Sequence, residues 1–210
     1  MLFANPDPPL LVGIIVALVA GITAHEFSHA LVADLLGDHR PRALGRVSLN
    51  PLRHLDPLGS LFFIIAGFGW GKPVPVNAYA LRPGRIGLTM VALAGPLANF
   101  VLAALVALAF RVLQLGGLLD ADFPRLVVAS IVFFNVLLGL FNLIPIPPLD
   151  GYNVVLPLLP PRQAFIVQRY APYGYIGLLL LVVLSYGAVS GPLDWLFQLA
   201  GGVSGYLLGG

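Results

Sequence analysis

Residues Leu10 to Gly37 form an almost uninterrupted apolar run, and its second half holds the cluster His25-Glu26-Phe27-Ser28-His29. A run of this length spans a bilayer as a helix, since about 20 apolar residues suffice. Ionisable groups at membrane depth cost about 2.5–3.5 kcal/mol each even on the lenient insertion scale, so such a cluster marks a functional site. On a helix, positions 25 and 29 stand one above the other with Glu26 beside them. This is the HExxH arrangement, which offers two imidazoles to a metal and a carboxylate to its water. The competing reading is two buried histidines that hydrogen-bond to neighbouring helices. Glu26 is the only glutamate in the chain and two of the four histidines flank it. Three such groups in one apolar run favour the metal.

The remainder of the chain has the same character. It has 210 residues, 59% hydrophobic and 10% charged, with mean hydropathy +0.94. These values exceed those of soluble domains. The expected fold is an all-α polytopic membrane protein of about 4–5 transmembrane helices, with a re-entrant or interfacial hairpin and a proline-broken helix. Residues 1–210 are expected to be a single transmembrane domain, with a core of about 10–151 and accessory C-terminal helices at about 171–210. The chain has no cysteine, so a transition metal here takes histidine nitrogen and carboxylate oxygen. A net charge of +2 carries no nucleic-acid signal, because basic residues of membrane proteins mainly report orientation. The N-terminus lacks a basic region and a small-residue cleavage site ahead of its apolar run, so it is expected to be retained.

Along the chain, Pro6, Pro8 and Pro9 lead into the first span, which ends near Leu36 with Gly37 as its cap. Asp38 to Leu55 carries His39, His54, Arg40, Arg42, Arg46 and Arg53. Such a basic loop reads as cytoplasmic, which places the N-terminus outside. Leu58 to Phe68 is short for a span and ends in the helix-breaking Gly67-Phe68-Gly69-Trp70-Gly71. If it crossed, Lys72, Arg82 and Arg85 would lie outside and the later loops would invert the charge rule. It is therefore expected to dip in and return, with an extended stretch from Lys72 to Ala80. Ile86 to Leu115 is the next span, where the Gly95-Pro96 step loosens the helix and lets a neighbour approach. Gly116 to Pro124 is an outer turn with Asp120 and Asp122, and Leu126 to Leu143 returns inward with Asn135 and Asn142. Three prolines then unwind the chain and present Asp150 on a turn ending at Gly151. Pro160 to Arg169 reads as a basic cytoplasmic segment and Tyr173 to Val189 as a further span. Pro192 to Gly210 is either an interfacial helix or a short fifth span.

Two helical imidazoles leave a tetrahedral zinc in need of a third protein ligand and an open position. By this topology Asp7, Asp120, Asp122 and Asp194 lie outside, and Asp34 points about 140° away from His29 at 100° per residue. Of Asp38, Asp56 and Asp150, Asp150 is preferred, because it sits on unwound backbone at a span end whereas the other two occupy polar loops. His25 is about 18 Å of helix from Gly37, so Asp150 can reach it from the cytoplasmic side. These parts make a hydrolase that attacks an amide. His25, His29 and Asp150 hold one zinc, Glu26 is the general base, and Asn142 is the candidate for steadying the oxyanion. Asn99 and His54 are secondary candidates for that last role, and Asn99 equally fits an interhelical hydrogen bond.

HExxH in a span, Gly-x-x-x-Asn at Gly95 to Asn99 and Asn-x-x-Pro-x-x-x-Leu-Asp-Gly at Asn142 to Gly151 together resemble the site-2 protease family of intramembrane zinc metalloproteases. The resemblance covers about His25 to Gly151. It implies cleavage of peptide bonds in membrane-spanning protein substrates near the cytoplasmic side, as in regulated intramembrane proteolysis. His25, His29 and Asp150 would then be the zinc ligands, Glu26 the base and Asn142 the oxyanion neighbour. It also implies a membrane-associated β element at Gly71 to Ala80, where substrate would bind by strand addition. Family members often carry PDZ or CBS domains, and the expectation here is the minimal form without them. Two alternatives share parts of the site. One is a membrane zinc hydrolase of lipid-like amides or esters. The other is a non-enzymatic membrane metal-binding protein, in which metal-ligating residues would recur on several spans.

Overall fold

The structure, a computed structural model, describes residues 8–66, 69–115, 122–187 and 191–209. The described chain is helical and contains no strand: α1 (Pro8–Leu35), α2 (Arg40–Ala43), α3 (Pro57–Ala66), α4 (Arg85–Leu115), α5 (Asp122–Asn142), α6 (Asp150–Val155), α7 (Pro161–Tyr170), α8 (Gly174–Gly187) and α9 (Asp194–Leu208). Four helical stretches are long and apolar enough to cross a membrane: Pro8–Leu35, Arg85–Leu115, Asp122–Asn142 and Pro161–Ser185. The all-α polytopic architecture is the one the hydropathy predicts. Asp7, Gly67, Phe68, Asp120 and most of the turn from Gly116 lie outside the described residues.

The helices α1, α4 and α5 pack against one another in pairs and form the central bundle. Lipid tails give no hydrophobic drive for this association, so the helices must come close enough for dispersion to hold them, and small residues line the seams. A methyl on Gly13 of α1 would sit 2.5 Å from Ser130 Cβ of α5, so only glycine permits that approach. A deeper cluster of Ala103 and Ala107 (α4), Val132 and Val136 (α5) and Ala200 (α9) is fully buried. The C-terminal helix is therefore docked on the bundle through Leu196, Ala200 and Ser204. At 15 residues it is about 22 Å long, short of a full crossing.

The span expected at Tyr173 to Val189 starts earlier: α7, in the basic segment Pro160 to Arg169, continues through a 3-10 turn (Ala171–Tyr173) into α8. With 14 residues, α8 alone measures about 21 Å and does not match a core of about 30 Å, so the crossing needs part of α7. In α4, Pro96 sits inside the helix without ending it.

The segment carrying α3 leaves and returns on one side. Leu55 and Gly71 form an antiparallel bridge, and Lys72 N donates to His54 O at 2.6 Å. Ten residues of helix span only about 15 Å, so a chain whose two ends meet this way has not crossed.

The end of α1 is fastened by charge. Gly37 adopts φ +112°, the left-handed conformation that terminates helices. Asp34 accepts from His39 Nδ1 at 2.9 Å and from Arg42 Nη2 at 2.7 Å. The buried Asp38 accepts from Arg40 Nε at 2.9 Å and from Asn77 N at 2.6 Å, which ties the chain after α3 to the α1 terminus. The Arg40 guanidinium holds the Asp38 carboxyl down at about 2. A depressed carboxyl stabilises the fold above its ordinary value of about 4 and loses that effect as pH falls toward the folded value. Asp38→Asn should therefore melt lower than the parent at neutral pH. The difference should shrink between pH 4 and pH 2, as followed by thermal denaturation in detergent.

Candidate metal centre

HExxH lies well inside α1, and the helical period stacks His25 and His29 on the face toward α4 and α5. The third member arrives by a different route. α5 stops at Asn142, the prolines at 145, 147 and 148 hold the following residues in turns, and Asp150 opens α6. The short α6 is clamped onto the start of α4: Thr89 Oγ1 donates to Val154 O at 3.2 Å, and Arg85 Nη2 to Leu159 O just beyond it at 3.2 Å. This docking carries Asp150 back to α1. Asp150 Oδ2 then lies 2.9 Å from His25 Nε2 and 3.2 Å from His29 Nε2, with the two nitrogens 3.0 Å apart.

The hydrogen bonds on the far side of each ring decide what these atoms are. His29 Nδ1 is 2.7 Å from the Val91 carbonyl oxygen, which only accepts, so Nδ1 carries the proton. His25 Nδ1 is 2.7 Å from Asn99 Oδ1, and the Asn99 orientation follows from its nitrogen, which donates to the Gly21 carbonyl at 3.1 Å. With each ring neutral, both Nε2 atoms present lone pairs. Asp150 Oδ2 is buried beside them. Three lone-pair-bearing atoms then converge, an arrangement that repels itself unless a cation sits between them. Ligands at about 2.0–2.1 Å from a tetrahedral zinc lie roughly 3.3 Å apart, so this triangle fits one slightly tight face of that tetrahedron. Among the described residues these three form the group of histidine and carboxylate ligands able to hold a metal ion.

The other acidic candidates have different partners. Asp56 Oδ1 accepts from Gly59 N at 2.8 Å and caps α3, while Asp34 and Asp38 bind the arginines described above. Glu26 is half-buried beside the extended chain: a methyl on Gly71 would lie 3.2 Å from Glu26 Oε1. Asn142 closes α5 and donates to Leu138 O at 2.9 Å, leaving one amide hydrogen free. Both Asn99 amide hydrogens are engaged, one by Gly21 O and one by Asn135 Oδ1, and the residue backs His25. His54 is fully buried, and its Nε2 donates to Ser48 O at 2.6 Å.

Three residues matter more than their sequence context suggests. Arg46 reads as one more basic loop residue, yet it is buried and donates to the carbonyls of Arg53 and Lys72, pinning the two sides of the α3 hairpin together. Its guanidinium loses some basicity through burial. Asn135 completes the contacts behind His25, and its only sequence signal is a costly amide in mid-span. Gly95 packs directly on the ligands: a methyl there would lie 2.4 Å from His29 Nε2 and 2.7 Å from His25 Nε2.

Comparison with known proteins agrees with this chemistry. YwhC of Bacillus subtilis, provisionally named a zinc metalloprotease, is 35% identical over 184 residues, which covers 83% of this chain and 82% of that protein. Rip2 of Mycobacterium tuberculosis, named in the same provisional way, is 34% identical over 212 residues, covering 93% of this chain and 78% of that protein. The Rip2 of Mycolicibacterium smegmatis is 34% identical over 224 residues, covering 96% and 80%. No family model and no solved structure matches the chain. With about a third of its residues shared with these relatives over most of its length, the chain belongs to the site-2 protease family of zinc metalloproteases.

Proposed function

We propose that the protein is an intramembrane zinc endopeptidase that hydrolyses peptide bonds in membrane-spanning substrates, of the kind that act in regulated intramembrane proteolysis, with one zinc per chain. The observation that carries this reading is the triangle of His25 Nε2, His29 Nε2 and Asp150 Oδ2, built on a helix of membrane-spanning length. All lysines and arginines except Arg111 and Arg125 lie between the end of α1 and the first residue of α4, or in α7. That asymmetry supports an N-terminus outside and a site toward the cytoplasmic side. The site is about 15 Å along α1 from Leu35. Residues 1–210 are taken as one catalytic domain.

His25, His29 and Asp150 would hold the zinc, which when bound would supply a lowered water pKa and a polarised carbonyl. Glu26 takes one proton from the attacking water. The water oxygen bonds to the scissile carbonyl carbon, the C–N bond breaks, and Glu26 returns the proton to the leaving nitrogen. Asn142 donates its free amide hydrogen to the carbonyl oxygen as charge develops there. A helical substrate cannot react while its carbonyls are bonded within its own helix, so it must be drawn out as a strand. From Lys72 to Asn77 the chain is neither helix nor turn, and among the described residues no backbone bond engages the N–H groups of Val74 and Val76. Those groups suit strand addition close to Glu26.

The test uses the full chain in proteoliposomes with a panel of single-span proteins and a lipid-like amide. Cleavage of a span, with the new termini mapped by mass spectrometry inside its apolar segment, is the expected result. A zinc chelator should remove that activity and added zinc should restore it. Turnover of the lipid amide alone, or cuts confined to soluble segments, would refute the proposal.

A further inference from the structure

The contacts behind the two imidazoles are unequal. His29 is held by a backbone carbonyl, that of Val91. His25 is held by a side chain that is itself held. Its Nδ1–H donates to Asn99 Oδ1 at 2.7 Å, Asn99 Nδ2 donates to Asn135 Oδ1 at 3.1 Å, and Asn135 Nδ2 donates to Ile131 O one turn back on α5 at 2.9 Å. Every donor in this series points the same way. It runs across three helices, from α1 through α4 to α5. Asn99 and Asn135 are both fully buried, and neither side chain contacts substrate or reacting atoms in the proposed chemistry.

An amide reversed at either residue would place N–H against N–H or oxygen against oxygen, so each asparagine fixes the orientation of the next. The consequence at the metal end is a single His25 tautomer, with its lone pair on Nε2. Hydrogen bonds in series polarise one another in a medium of low dielectric, so the acceptor at Nδ1 also makes Nε2 a better donor to a metal. Gly21 belongs to the same construction: a methyl there would lie 2.7 Å from Asn135 Oδ1.

We infer that Asn135 is a positioning residue of the metal centre, acting on zinc affinity only through Asn99 and the His25 tautomer that Asn99 fixes. The inference rests on the metal reading of the site and is independent of what the enzyme cleaves.

The experiment measures zinc affinity of the full-length protein in detergent by chelator competition, for the parent, Asn99→Ala, Asn135→Ala and the double variant, with His25→Ala as control. Loss of an outer-shell partner costs about 10–100-fold in metal affinity. Asn99→Ala should fall in that range and Asn135→Ala should lose less, about 3–10-fold. The double variant should bind no more weakly than Asn99→Ala alone, because the outer link cannot act once the inner one is gone. Additive losses in the double variant, or parental affinity in Asn135→Ala, would overturn the inference. A purely structural Asn135 would lower the melting temperature of the two variants that lack it while leaving zinc affinity unchanged or additive. If the alanine variant does not fold, Asn135→Leu keeps the volume without the amide and provides the same comparison. Failure of the parent to bind zinc any better than His25→Ala would instead sink the metal site itself.

Discussion

Replacing Glu26 with glutamine should suppress peptide cleavage by roughly 10²–10⁴-fold, the usual contribution of a positioned general base, while leaving the protein loaded with zinc. The two readouts separate because Glu26 lies outside the ligand triangle of His25, His29 and Asp150. Glutamine has nearly the same shape and fits the same space beside Gly71, where a methyl would lie 3.2 Å from Glu26 Oε1. It cannot accept a proton from water and return it to the leaving nitrogen. Cleavage of a single-span substrate and zinc content should be measured on the same preparation. Parental activity in Glu26→Gln would remove this residue from the mechanism.

Gly95→Ala is the second large effect, and it runs against local propensity. Alanine is about 1 kcal/mol better than glycine in a helix interior, so α4 taken alone should gain. The tertiary contact reverses that. The new methyl would lie 2.4 Å from His29 Nε2 and 2.7 Å from His25 Nε2, against the very atoms that must face the metal. α4 cannot simply retreat, because Asn99, one turn on, is bonded to both α1 and α5. One displaced imidazole suffices to break a three-ligand site, so zinc affinity should drop by at least about 100-fold and cleavage should go with it. Circular dichroism should report undiminished helix. A Gly95→Ala protein that binds zinc like the parent would mean that the helices are farther apart than this packing shows.

What was legible beforehand follows the range of the physics involved. The pairing of His25 with His29 needs only the period of a helix, and the polytopic fold needs only the length of the apolar runs. The return of the α3 segment came from counting charges on loops. Each of these rests on local pattern or on the bilayer, which acts on every segment in the same way. Asp150 is an intermediate case. Its three neighbouring prolines mark a break, yet only the clamp of α6 on Thr89 and Arg85 explains why the break turns toward α1.

The remainder depends on which side chains meet across helices. Nothing local distinguishes Arg46 from Arg42 or Arg53, although Arg46 alone of the three is buried, bridging the two arms of the hairpin. α7 lies in a segment that reads as basic and cytoplasmic, and its continuity with α8 appears only in three dimensions. Asn99 had two readings in the sequence, and the positions of Gly21 and Asn135 engage both its amide hydrogens, which leaves its oxygen to accept from His25 Nδ1. The sequence by itself determined the first three spans and the stacking of His25 on His29 with Glu26 beside them, because helix period and membrane thickness act on each segment independently. Tertiary structure alone decided what stands behind the metal ligands and what presses on them, because those contacts depend on the rotation and depth of each helix against its neighbours.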